Sequence, residues 1–98
     1  MKYKVSISER AEENLDKIFE YLEFHWSVKV KNDFKEALYK EVNRLRQNPY
    51  MYQPSNVKKS VRCCFITKHN AMYYKIIEKE IEIITIHDTR SDPKLLKL

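Results

Sequence analysis

Residues 61–87, VRCCFITKHNAMYYKIIEKEIEIITIH, decide the fold of this 98-residue chain. Three apolar, β-branched and aromatic runs, VRCCFIT (61–67), AMYYKII (71–77) and IEIITIH (81–87), are separated by Lys68-His69-Asn70 and Glu78-Lys79-Glu80. Runs of this length with connections this short predict three consecutive antiparallel strands. The chain contains no glycine, and tight hairpin turns often need positive φ. Asn70 is therefore the expected substitute at the first turn, and a longer or bulged connection is expected at the second.

Upstream, KYKVSI (2–7) alternates Tyr3, Val5 and Ile7 with Lys2, Lys4 and Ser6, the period of a half-buried strand. Ser8 suits a helix N-cap, and Glu9, Glu12 and Glu13 favour the positive end of the helix that follows. Ala11, Leu15, Ile18, Phe19, Leu22 and Trp26 predict one amphipathic helix over about 9–26, with an apolar stripe toward the core. Ser27 caps a second, whose stripe is Val30, Phe34, Ala37, Leu38, Val42 and Leu45, and Asn48-Pro49 closes it. With almost no linker, the two helices form a hairpin. YMYQPSNVKKS (50–60) reads as a surface loop, with Tyr50 and Tyr52 available to pin it to the helices. The expected architecture is α+β, in the order β-α-α-β-β-β: an antiparallel sheet with the N-terminal hairpin packed on one face, and PKLLKL (93–98) as a short tail or helical turn.

The length suits a single domain over 1–98. No run approaches a membrane span and no signal-type apolar segment opens the chain, so a cytoplasmic protein is expected. Cys63 and Cys64 are adjacent and point to opposite faces of a strand, which predicts core thiols and no disulfide framework. His25, His69 and His87 are too scattered for a metal site, and the P-loop, GxGxxG and HExxH patterns are absent, so neither metal nor cofactor is expected.

The net charge of +5 favours anionic partners if it collects on one face. Strand alternation allows Lys2, Lys4, Arg62, Lys68 and Lys75 to share a sheet face near Lys58, Lys59 and Arg90. That patch would pair with phosphates or carboxylates, and the plain alternative is a solvated face with lysines at strand edges. Acidic residues crowd the first helix and basic residues the second, a segregation expected to pair across the hairpin. After the last strand, Asp88 and Asp92 are suited to fix the HDTRSDP turn through bonds to the backbone, presenting Arg90.

KYKVSISERA (2–11), AEENLDKIFEYL (11–22), LRQNP (45–49), SVRCCFITKHNAMYYKI (60–76) and IEIITIHDTRSDP (81–93) together resemble the RelE/ParE superfamily of type II toxin–antitoxin toxins, in element order and over nearly the whole chain. The resemblance implies a toxin silenced by a cognate antitoxin, a role in plasmid stabilization and growth inhibition, and contact with operator DNA only through the antitoxin. Two mechanisms live on this fold. RelE-like members cleave mRNA on the ribosome with a basic cluster on the sheet; ParE-like members inhibit DNA gyrase without it. Arg62 and Arg90 fall at two of the basic positions. Cys64 stands where a lysine is expected, Ala71 or Met72 where an arginine is expected, and PKLLKL carries no terminal tyrosine or histidine. The resemblance thus points to ParE-like inhibition of gyrase. For the ribosome-dependent interferase alternative the candidates are Arg62, Lys68, His87 and Arg90, with His87 as acid or base. A third alternative is a degenerate, non-toxic antitoxin-binding module. For partner binding the candidates are Arg62, Lys68, Lys75 and Arg90.

Overall fold

A computed structural model describes residues 2–98 of the chain, the side chain of Pro93 excepted. β1 (Lys4–Ile7) leads through Ser8 into α1 (Glu9–His25) and then α2 (Val28–Gln47). β2 (Arg62–Thr67), β3 (Asn70–Ile77) and β4 (Glu80–Asp88) follow the loop, and a 3₁₀ turn spans Pro93–Leu95. The sheet order is β1-β4-β3-β2. The last three strands form the expected antiparallel meander, whereas β1 lies parallel to β4 in the register Lys4↔Glu80 to Ile7↔Ile83. The sheet is therefore mixed, not wholly antiparallel. β4 is paired on both sides over Glu80–Ile83.

Both helix caps form as expected. Ser8 Oγ accepts from Ala11 N at 3.0 Å and also donates to the Ile84 carbonyl, so one hydroxyl caps α1 and ties it to β4. Ser27 Oγ accepts from Val30 N at 3.1 Å to start α2. The paired stripes then close over one sheet face: Leu15, Phe34, Leu38 and Leu45 bury against Cys64, Ile66, Met72, Tyr74, Ile81, Ile83 and Ile86. Phe19 meets Phe34 edge to face, with centroids 6.0 Å apart. Tyr74 is fully buried, and its hydroxyl donates to the Pro49 carbonyl at 2.7 Å. Tyr52 donates to Glu41 Oε2 at 2.8 Å, pinning the 50–60 loop to α2. Across the hairpin, Lys31 pairs with Glu23 at 3.2 Å; the pairs Lys29–Asp33 and Arg44–Glu41 lie within α2 itself.

The turns depart from expectation. Both connections within the meander are two residues long, Lys68-His69 and Glu78-Lys79. Among the described residues only Glu78 adopts positive φ, at 55°. Asn70 instead opens β3 and donates through Nδ2 to Thr67 Oγ1 at 2.9 Å. Irregular registers occur at Phe65/Thr67 and at Tyr73/Tyr74, the latter beside Ile84 in the middle of β4. A side chain with a Cβ pays about 1 kcal/mol or more for the left-handed region. Glu78→Gly is therefore expected to raise the stability by roughly 0.5–1 kcal/mol in chemical denaturation.

Candidate functional site

The proposed cationic sheet face does not form. Arg62 stands opposite Tyr74 and Cys64 opposite Met72, which places Arg62 on the helix side of the sheet. Its Nη1 donates to the Tyr52 carbonyl, and its guanidinium lies 5.1 Å from the Tyr50 ring centroid. Arg62 therefore clasps the 50–60 loop. Lys75 lies on the opposite face, where its Nζ meets Glu82 at 3.3 Å, and Lys4 lies in register with Glu80. That face also exposes Phe65 and Ile77. It is a mixed surface with its charges interleaved.

Lys68, His87 and Arg90 lie toward the other end of β2 from Arg62. Lys68 lies in the β2–β3 turn, which is tied to the segment after β4: Thr89 N donates to His69 O at 2.9 Å, and Thr89 Oγ1 to Lys68 O at 3.3 Å. Arg90 is fastened beside it, through Nε and Nη2 on the two carboxylate oxygens of Asp88 at 3.1 and 2.9 Å. Asp88 Oδ1 also accepts the Arg90 backbone N–H at 2.9 Å, and Asp92 Oδ1 accepts that of Lys94 at 2.9 Å. Both aspartates thus shape the turn as expected. His87 lines a separate polar cavity on the β4 edge.

The Arg90 side chain, by hydrogen bonding, holds the Asp88 carboxyl below the usual carboxylate range. A depressed carboxyl contributes stability that is present above its unfolded pKa and lost as pH falls through the folded one. Because the pair is exposed, that contribution is under about 1 kcal/mol. Carbon-detected NMR should show Asp88 titrating below an ordinary aspartate. Asp88→Asn should free the Arg90 side chain while moving the unfolding midpoint little.

Arg90 and Asp33 are the charged residues lining a cleft of about 570 Å³ between the helix-hairpin tip and the β2–β3 turn. Tyr21, Leu22, Trp26, Val30 and Phe34 form its apolar wall, and Thr67, His69 and Asn70 its polar one. Trp26 does not join the core as its spacing suggested. α1 ends at His25, and Trp26 follows as the C-cap with φ −125° and ψ −90°, leaving it 69% exposed. Phe24 is 85% exposed beside it. His25 stacks on Tyr21 with centroids 4.3 Å apart and meets Phe24 edge-on at 5.0 Å. Tyr21, Phe24 and Trp26 thus stand exposed together at the hairpin tip. The sequence signal was FHW at 24–26 followed by Val28: more apolar surface than a tight helix turn can cover.

Burial pushes the Cys64 thiol up to about 12 and raises that of Cys63, so neither is a ready thiolate. Tyr73 is likewise pushed to about 12, first by burial. Among the described residues, no group of three His, Cys, Asp or Glu side chains is placed to hold a metal. Nor is any helix long and apolar enough to cross a membrane.

Comparison with known proteins finds one matching family, described as the ParE toxin of the type II toxin–antitoxin system, parDE, over residues 5–93. No curated protein matches the sequence. Among solved structures, the chromosomal ParDE system of P. aeruginosa is similar at TM-score 0.75 and 20% identity, covering 89% of this chain and 96% of that one. The E. coli DinJ–YafQ toxin–antitoxin complex gives 0.63 at 13% identity, covering 90% and 93%. The YoeB dimer of Staphylococcus aureus gives 0.61 at 12%, covering 89% and 97%. At such identities these structures speak for the fold alone.

Proposed function

Since the chain belongs to the family of ParE toxins of type II toxin–antitoxin systems, we propose that it arrests growth by binding DNA gyrase in the cytoplasm, and that a cognate antitoxin silences it by occupying the hairpin cleft. The observation that carries this reading is the contrast between its two surfaces. The basic residues that a phosphate-cleaving cluster would draw on are dispersed or engaged: Arg62 by Tyr52 and Tyr50, Lys75 by Glu82, Arg90 by Asp88. Stabilising charge in a transition state requires several donors converging on one point. The hairpin tip, by contrast, holds Trp26 and Tyr21 exposed in the lining of a formed cleft, with Phe24 exposed nearby, which suits binding through a few aromatic anchors.

The antitoxin segment that fits is amphipathic and partly acidic. Its apolar side chains would enter between Trp26 and Phe34, and a carboxylate would compete with Asp88 for Arg90. Such a segment orders as it docks.

The ribosome-dependent interferase remains a second reading because Lys68, His87 and Arg90 do share one end of the sheet. Mapping transcript 5′ ends after induction separates the two. Intact message with gyrase-dependent DNA damage is the expected result; new ends within translated codons would overturn it. Growth unaffected by induction would instead indicate a non-toxic antitoxin-binding module.

A further inference from the structure

β1 ends at Ile7, so β4 beyond Ile83 has no strand neighbour on that side. The N-terminal turns of α1 and the C-terminal tail cover the gap. Asn14 Oδ1 accepts from Ile86 N at 3.1 Å and from Thr85 Oγ1 at 2.8 Å, while Arg10 Nη1 donates to the Lys97 carbonyl at 2.7 Å. Between these elements lies a cavity of about 470 Å³, lined by Arg10, Asn14, His87, Ser91 and Lys97, among others.

We propose that this cavity is a binding site for a small phosphate monoester. Residue 10 is remote in sequence from residues 87 and 97, yet the fold brings an arginine, a histidine and a lysine to one concave surface, with Ser91 also in its lining. Neither Arg10 nor Lys97 takes part in an ion pair among the described residues. One Arg10 Nη1–H is used on the Lys97 carbonyl, and the guanidinium carries four further N–H donors. The acidic side chain in the lining, Asp88, has both oxygens engaged by Arg90, and the glutamates at the start of α1 do not line the cavity. Since Asn14 Oδ1 accepts two bonds from β4, its amide is oriented with the NH₂ group away from those partners. The result is a donor-rich, net-positive concavity, the chemistry that recognises a compact oxyanion. Its volume falls within the range of small-molecule pockets, enough for a phosphate and part of what it esterifies. The site lies on the β4 edge and adjoins the aromatic cleft through the Asp88–Arg90 pair, but the assignment does not rest on the antitoxin and gyrase reading.

The test is NMR titration of the full chain with inorganic phosphate and, separately, with a nucleoside monophosphate, each against chloride at matched ionic strength. Saturable shifts of the His87 ring and of the Ser91 and Asn14 amides are expected. The doubly substituted R10Q/K97Q chain should bind about tenfold more weakly with its spectrum otherwise unchanged, and Arg10→Lys should retain most of the affinity. Tighter binding of the nucleotide would show that the cavity also holds the esterified group, and equal binding that it reads phosphate alone. Shifts matched by chloride, shifts elsewhere only, or shifts that persist in R10Q/K97Q would overturn the assignment.

Discussion

Trp26→Ala is expected to weaken antitoxin binding by about 30-fold or more while leaving the unfolding midpoint nearly unchanged. Trp26 is mostly exposed and lines the cleft, so its removal takes little from the core. Surface substitutions of that kind usually move stability by less than about 0.5 kcal/mol. A tryptophan anchor desolvated at the centre of an interface is worth about 2 kcal/mol or more, hence the factor of 30. Isothermal titration against the antitoxin segment measures it, with Tyr39→Ala, exposed elsewhere on α2, as the control. Equal affinity in the wild-type and W26A chains would move the antitoxin off the cleft.

The largest stability effect is expected at Tyr74. Its ring is fully buried between sheet and helices, and its hydroxyl satisfies the Pro49 carbonyl where α2 gives way to the loop. Tyr74→Ala should cost roughly 3–5 kcal/mol through the cavity it leaves. For a chain of this size that lowers the melting temperature by roughly 15–30 °C. Tyr74→Phe keeps the ring and strands only the carbonyl, at a cost of about 1–2 kcal/mol. Burial also raises the Tyr74 phenol above its ordinary value, so ionisation at high pH should coincide with unfolding. Thermal melts of the two variants separate the volume contribution from the hydrogen bond. Equal losses would mean that the hydroxyl, not the packing, dominates.

What was legible in the sequence was local. The alternation in residues 61–87, the stripes Leu15–Leu22 and Phe34–Leu45, and the serine caps each rest on neighbours within a few residues, and each element formed where its pattern lay. Three features depended on distant partners. Nothing in KVSI tells that it will lie parallel to a strand about 75 residues later. The side of the sheet on which Arg62 lands is set by the β2–β3 register, and a shift of one residue reverses it; with Cys64 opposite Met72, the arginine turned toward the helices. The spacing of Trp26 continues the α1 stripe toward the core, but the helix ends one residue before it. At the site, Arg90 and its aspartate turn could be read from HDTRSDP. The cleft around Arg90 could not, because His69, Trp26 and Phe34 converge only through the packing of the hairpin against the sheet.

Inhibition of gyrase by this toxin is read out by titrating the purified chain into a gyrase supercoiling assay with relaxed plasmid. Dose-dependent loss of supercoiling is expected, relieved by the antitoxin segment and unaffected by Ala substitution of His87. Full supercoiling at protein levels that arrest growth would contradict it.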